Sequence, residues 1–372
     1  MLTVDATHPD LLVPALRRTL AGGPALLPLP SGTTAARAIT GAVRPAEPAA
    51  PGTVIVTTSG STGQPKGICL SAAAITASAE STLRSLGGPG AWHLALPAHY
   101  VAGLMVIARA IVSDAQVLTV RSDLDDLHPV AGGRNYLSIV PTQAARALQQ
   151  PAVLERLAAF DAVLLGGGAA GGELLDRLTA QGVRVRTTYG MSETCGGCVY
   201  DGSPLDITEV RIGAGQRIEL RGPMLFDGYR LQPELTARVL ADGWFVTSDR
   251  GELAGDRLRV LGRVDDVVIS GGVNVDLARL QTRLDGLTTD GLGPGRAVAL
   301  GVPDPEWGQR VVVATTAPIG LTALRDRLTD LVEPAALPRG LGRVDELPLL
   351  SSGKPDRRSL IENWPMIEEE RR

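Results

Sequence analysis

Cysteine is scarce. Three residues in 372, an odd number, exclude a disulfide framework as the basis of the fold and fit a reducing cytoplasmic setting. Histidine is almost as rare, at four, so a structural zinc site has few ligands to draw on. No apolar run reaches membrane-spanning length, and the N-terminus lacks a basic-then-apolar leader pattern, so no membrane insertion is expected. Neither sign of charge is in large excess. A net charge of −4 gives no reason to expect nucleic acid as a partner. No internal repeat is evident. What is present is ordinary for a globular protein, 44% hydrophobic and 20% charged, over a length that allows a large core and more than one domain.

The pattern along the chain is that of a layered α/β protein. Pro9–Leu20 reads as a helix, and a stretch rich in Ala, Pro and Gly then leads, through Pro45, Pro48 and Pro51, to a β-branched strand at 53–56. Ser71 suits the cap of a helix running to about 86. Short strands at 91–96, 116–120, 136–140, 162–165 and 183–188 alternate with helices at 100–112, 142–149, 151–159 and 172–180. From 207 to 260 the reading turns β-rich. Beyond 265 a smaller α+β segment follows, with strands at 267–269, 297–301 and 311–315 and helices at 277–284 and 322–331. A charged tail, 368–372, is expected to be mobile. The expected domains are 1–264 and 265–372.

The chain is organised around Thr57-Thr58-Ser59-Gly60-Ser61-Thr62-Gly63-Gln64-Pro65-Lys66-Gly67, placed between that first strand and the helix opening at Ser71. Strand, glycine-rich loop and helix together make an anion site: glycines let backbone N–H groups approach phosphate oxygens, and hydroxyls and one lysine add donors. A Walker loop needs Gly-Lys-Ser/Thr at its end. Here Pro65 precedes Lys66 and Gly67 follows it, which excludes that class. Gly166-Gly167-Gly168, at a strand's carboxyl end, can let a flat ring lie on backbone, though a tight turn explains them as well. In Tyr189-Gly190-Met191-Ser192-Glu193-Thr194, Glu193 can hold a hard divalent cation and Ser192 can donate to the same phosphates. Asp249 and Arg263 suit a ribose, or are ordinary surface ion-pair members. Cys195-Gly196-Gly197-Cys198 reads as small residues lining a pocket rather than as a redox or zinc motif. Arg109 interrupts an apolar helix. It is either paired or snorkelling, or is a buried anchor for a substrate carboxylate.

Taken in order, these stretches resemble the signatures of the adenylate-forming superfamily of acyl-CoA synthetases, adenylation domains and luciferases, from Thr57 to Lys354. The resemblance implies a large N-terminal domain with mixed sheets and a small mobile C-terminal domain. It implies ATP bound by Thr58, Ser59, Gly60, Ser61, Thr62, Gly63, Lys66, Gly166, Gly167, Gly168, Tyr189, Gly190 and Ser192, with Tyr189 stacked on adenine. Asp249 and Arg263 would hold the ribose, although Ser248 stands where the family usually has Gly, and Glu193 would bind Mg2+. Asp265 would be the hinge on which the small domain turns between half-reactions. Lys354, in Ser351-Ser352-Gly353-Lys354, would be the catalytic lysine that offsets charge in the adenylation transition state. His99 would lie beside the acyl pocket. Gly271-Gly272 keep a further family motif, but Arg279 and Gln281 replace its usual acidic residues.

Within that superfamily, residues 96–109, 138–143 and 189–202 resemble the shorter o-succinylbenzoate–CoA ligases of menaquinone biosynthesis. This implies a carboxylic acid activated by ATP and passed to coenzyme A, with His99, Arg109, Gly196 and Gly197 around the acyl group. Only 56 residues precede the phosphate loop, so the larger N-terminal region of most such enzymes is missing. Part of the usual acyl pocket and dimer surface is thereby left open, and a homodimer stays among the allowed assemblies. Another aryl- or acyl-CoA ligase, or an adenylation enzyme loading a carrier protein, shares every nucleotide motif. A non-catalytic nucleotide-binding protein would be expected to lose Lys354 or Glu193, and both are present.

Overall fold

The computed structural model describes residues 1–59, 65–168, 170–349, 355–367 and 369–371. It is a mixed α/β protein in two units. One comprises Met1–Gly213, Glu219–Thr247 and Leu253–Arg259; the other comprises Ala214–Ile218, Ser248–Glu252 and Val260–Arg372. Among the described residues no helix is long and apolar enough to cross a membrane.

In the first unit one sheet runs in the order Leu2–Asp5, Leu26–Leu29, Thr53–Ser59, Pro65–Ser71, Gly228–Tyr229. The expected strand–loop–helix arrangement is not what forms around the phosphate motif. Thr53–Ser59 turns back into a second strand, Pro65–Ser71, with Thr57 opposite Gly67 and Thr58 opposite Lys66. The helix, Ala72–Ser85, opens only after that strand, where the Ser71 Oγ accepts from the Ala74 N–H at 3.2 Å. Ile68 and Leu70 decide this: both are fully buried, at the spacing of two that a strand face requires. The sequence also hid two strands, Leu2–Asp5 and Leu26–Leu29, and the helix Thr33–Val43 in what reads as a loose lead-in. That helix shows only Ile39 and Val43 as large apolar residues, which pack with Leu27 and Ile55, so its periodicity is faint.

The second sheet follows the expected alternation closely. Val117–Thr119, Ala91–Leu94, Asn135–Ile139, Ala162–Leu165 and Val185–Met191 are parallel neighbours in that order; Gly196–Tyr200 and Ser203–Pro204 extend it antiparallel. Parallel strands covered by helices read as continuous apolar runs, and Ala162–Leu165 and Asn135–Ile139 are buried at every position. Val185–Met191 runs three residues past its expected end. Tyr189 and Gly190 are therefore strand residues rather than part of a following loop, because Gly196–Tyr200 folds back to continue the ladder. The β-rich stretch supplies Glu209–Ile212, Arg217–Arg221, Trp244–Ala254 and Arg257–Arg263, plus an unforeseen helix, Pro233–Val239.

In the second unit, alternate residues of Gly308–Thr315 face opposite sides of a sheet. Val311 and Val313 join a core with Leu280, Leu284 and Leu324, while Val312 and Ala314 join one with Leu347, Leu360 and Trp364. The helix Leu277–Asp285 is capped by Asp276, whose Oδ1 accepts from the Ala278 N–H at 2.9 Å. Gln281, at one of the two departures from the family motif, bonds the strand beside it: its amide donates to Ala297 O and accepts from Ala299 N, each at 2.9 Å.

The tail corrects its expectation. Glu369–Arg371 forms a strand antiparallel to Gly340–Arg343, and the Glu369 carboxylate pairs with Arg310, both side chains almost fully buried. Asp304 holds the same guanidinium at 2.9 Å. Gly340 makes room: a Cβ there would collide with both Arg310 and Glu369. Burial opposes ionisation of Glu369, but the Arg310 and Arg371 hydrogen bonds outweigh it and hold the carboxyl below its usual range. A depressed carboxyl contributes stability above its unfolded value and loses it as pH falls through the folded one. Glu369→Gln is expected to destabilise the protein by about 2 kcal/mol at pH 7. Urea melts at pH 7 and pH 3.5 check it, the difference between variant and parent shrinking in acid.

Candidate active site

A parallel sheet whose sequential order reverses places ligands outside its carboxyl ends, at the reversal. Here the order reverses between Ala91–Leu94 and Asn135–Ile139. Strand ends on this edge lead into His99, into Val140 and Pro141, into Gly166, Gly167 and Gly168, and into Ser192 and Glu193. The fold therefore gathers onto one edge several residues that the sequence spreads over nearly a hundred positions.

The glycines there have separate reasons. Gly167 has φ +77°, a left-handed backbone that favours glycine, and Gly167 and Gly168 are exposed, leaving a strip of bare backbone. Gly166 packs onto Thr188, whose Oγ1 would lie 2.3 Å from an added Cβ. At Gly190 a Cβ would fall 2.0 Å from the Gly196 carbonyl oxygen, so the hairpin tolerates no side chain there. Gly67 is likewise structural: a Cβ would meet the Arg230 side chain at 2.8 Å. Gly60, Ser61, Thr62, Gly63 and Lys354 lie outside the described residues, as do the side chains of Ser59 and Asp265. Thr58 and Lys66 face each other across the hairpin that carries the loop, both half-buried.

Ser192–Thr194 is a single tight turn between strands. The buried Thr194 hydroxyl fastens it, accepting from the Met191 N–H at 2.9 Å and lying 2.6 Å from the Gly196 carbonyl. Glu193 is gripped from elsewhere: Tyr229 donates its hydroxyl to Oε1 at 2.8 Å, and the Phe226 N–H donates to the Glu193 carbonyl at 2.9 Å. Burial and the neighbouring carboxylate push the Tyr229 phenol far up, so it stays protonated and donates. Nothing in the spacing of the sequence pointed to Tyr229. Carboxylate and hydroxyl oxygens are the donors a hard divalent ion takes, and Mg2+ needs only one or two protein carboxylates when substrate phosphates complete its shell. Glu193 fits that requirement, and the Ser192 hydroxyl beside it suits a donor to the same phosphate oxygens. Among the described residues no group of three or more His, Cys, Asp or Glu is arranged to hold a metal by itself.

Arg109 does not snorkel, and among the described residues it forms no ion pair. It sits in the last turn of Val101–Val112, is 4% exposed, and its Nε has no hydrogen-bond partner. Its guanidinium carbon lies 5.1 Å from the Trp92 ring centre, and burial works against its charge. A Cβ on Gly196 would stand 3.8 Å from Arg109 Nη2, so the missing side chain at that left-handed position (φ +87°) leaves room beside the cation. Gly197 instead faces Thr188 and Tyr200. His99 lies before the helix, whereas Arg109 is in its last turn, eight residues of helical rise (about 12 Å) beyond Val101. His99 packs on Tyr100 with ring centres 4.1 Å apart, and burial lowers its basicity while Asp5 partly restores it.

Cys195 and Cys198 are buried free thiols; burial pushes Cys198 up to about 12 and Cys195 higher still, which disfavours thiolate chemistry at neutral pH. In the second unit Asp249 and Arg263 pair with each other at 3.5 Å, and Asp265 lies on the short turn Val264–Asp266 between two strands.

Residues 9–229 match the family described as AMP-binding enzyme. The chain is 41% identical over 374 residues to a probable 2-succinylbenzoate–CoA ligase of Mycobacterium tuberculosis, covering 95% of each. It is 33% identical over 265 residues to the 2-succinylbenzoate–CoA ligase of Salmonella typhimurium, covering 68% of this chain and 56% of that one. Among solved structures, the o-succinylbenzoate CoA synthetase of Bacillus subtilis in complex with the acyl-adenylate intermediate OSB-AMP superposes with a TM-score of 0.74 at 27% identity, over 82% of this chain and 68% of the other. The same Bacillus subtilis enzyme in complex with ATP and magnesium ion gives 0.72 at 27% identity, over 82% and 69%.

Proposed function

The chain belongs to the AMP-binding enzyme family, and on that premise we propose that it is an ATP-dependent 2-succinylbenzoate–CoA ligase of menaquinone biosynthesis. A substrate carboxylate oxygen attacks the α-phosphorus of ATP, the bond to pyrophosphate breaks, and an acyl-adenylate forms. The thiol of coenzyme A then attacks the acyl carbon, giving up its proton as AMP leaves.

This chain's residues divide the work. The hairpin loop carrying Thr58 and Lys66 takes the phosphates, and the bare backbone of Gly167 and Gly168 takes the adenine, with Tyr189 as its stacking partner. The Asp249–Arg263 pair suits the ribose hydroxyls. Glu193 would hold Mg2+, which would offset phosphate charge when bound, and Ser192 would donate to the same phosphate oxygens. Lys354 acts in the first step, and a hinge at Asp265 exchanges the groups presented between steps. Arg109 holds the carboxylate that is not activated. His99 borders the acyl group rather than that second carboxylate.

The observation that carries the substrate is Arg109, buried beside Gly196 with no carboxylate paired to it among the described residues. A desolvated guanidinium binds a carboxylate in a fixed bidentate geometry, and a diacid can supply one while its other carboxylate reacts. Pyrophosphate release across a panel of acids, with and without coenzyme A, tests this. 2-Succinylbenzoate should exceed aromatic monoacids by about a hundredfold or more in kcat/KM, the gap expected when a buried charged donor is left unsatisfied. Equal use of monoacids overturns the substrate, and turnover on a carrier protein in place of coenzyme A overturns the acceptor.

A further inference from the structure

Two parts of the nucleotide site, the hairpin ending in Lys66-Gly67 and the carboxylate of Glu193, are far apart in sequence, and one side chain connects them. Tyr229 belongs to the short strand Gly228–Tyr229, paired antiparallel to Pro65–Ser71 with Tyr229 opposite Ile68. The backbone is pinned on both sides: the Arg230 N–H donates to Gly67 O at 2.8 Å, and the Asp227 N–H donates to Cys69 O at 2.9 Å. Tyr229's own N–H donates to the Thr236 hydroxyl at 2.9 Å. Gly228 permits that approach, since with φ +145° a Cβ would meet Thr236 at 2.8 Å. The phenol ring packs edge-on against Phe226, centres 5.0 Å apart, and Phe226 packs the same way on Phe245.

From this fixed base the hydroxyl reaches Glu193 Oε1 at 2.8 Å, while Phe226, three residues earlier, holds the Glu193 backbone. A glutamate carboxylate turns easily about its last bond, and a metal ligand gains from having that rotation removed before the ion arrives. We infer that Tyr229 is a positioning residue that holds the Glu193 carboxylate in register with the strand leaving the phosphate loop. The inference rests on the reading of Glu193 as the Mg2+ ligand. Its consequence is that the metal-dependent part of nucleotide binding requires the Tyr229 hydroxyl and not its ring.

The test is calorimetric binding of ATP to the full chain, with and without Mg2+, in wild type, Tyr229→Phe and Glu193→Gln. The phenylalanine variant keeps the packing on Phe226 and is expected to melt with the wild type and to bind metal-free ATP equally well. Its gain in ATP affinity on adding Mg2+ should fall about tenfold, the worth of one hydrogen bond to a charged group. An unchanged gain in Tyr229→Phe with a lost gain in Glu193→Gln overturns the positioning role and leaves Glu193 as the ligand. An unchanged gain in both removes Glu193 as ligand, and the inference with it. If Tyr229→Phe melts early, Phe226→Leu is the second variant. It loosens the ring and leaves the hydroxyl, so a metal gain that falls equally in both marks a packing effect and overturns the inference.

Discussion

Lys354→Ala is expected to slow acyl-adenylate formation by about 10²–10³-fold, the usual worth of one preorganised donor to transition-state charge, and to leave thioester formation from supplied acyl-adenylate nearly intact. In the first half-reaction negative charge accumulates on the phosphate as the substrate oxygen arrives and pyrophosphate departs, and a lysine ammonium beside it is worth most then. In the second, charge develops on the acyl oxygen and on the departing AMP. On the proposed rotation at Asp265, Lys354 has by then left the site, so that step should be spared. Single-turnover measurements of each half-reaction separate the two, and equal losses in both make Lys354 a folding or general binding residue. Composition offers a second readout. Of 36 basic residues only Lys66 and Lys354 are lysines, so an amine-reactive reagent modifies just these two side chains besides the terminal amine. ATP should protect both from it.

Arg109→Ala should lower kcat/KM for the diacid by several hundredfold or more, because stranding a buried charge partner costs about 3–5 kcal/mol. ATP affinity should hardly move. Stability distinguishes this from a structural role. A buried guanidinium whose Nε finds no acceptor is a cost to the folded state, and an apolar replacement of similar length removes that cost. Arg109→Met is therefore expected to be at least as heat-stable as the wild type while equally poor with the diacid. A sharp drop in melting temperature would instead make the contact with Trp92 the residue's purpose. Conversely the diacid should raise the melting temperature of the wild type more than a monoacid does, since only the diacid relieves the cation.

Much of the parallel sheet was legible because its strands are short apolar runs with Gly and Pro between them. Ala162–Leu165 and Gly172–Ala180 fall at their expected bounds, as does Pro9–Leu20. The failures share a cause, which is pairing with a distant partner. Glycine and hydroxyl content marked the stretch read as a phosphate loop, but that its flanks are two antiparallel strands depends on burial of Ile68 and Leu70. Tyr189 and Gly190 read as loop because the returning strand Gly196–Tyr200 cannot be seen in their own composition. Arg109 showed as a charge in an apolar run, yet whether it was paired depended on side chains from other elements. Tyr229 carried no local signal at all.

The strand Glu369–Arg371 also imposes an order in time. Arg310 is buried against a carboxylate made 59 residues later, so at a synthesis rate of roughly 10 residues per second its charge waits about 6 s for Glu369. Until then Gly340–Arg343 is an open edge and the helix Leu321–Leu328 lacks the Glu370 carboxylate that accepts its first N–H at 2.6 Å. During that interval the second unit is a nascent chain with an exposed strand edge and a half-built core. That is the form most open to chaperones, proteases and pairing with a neighbouring copy on the same messenger.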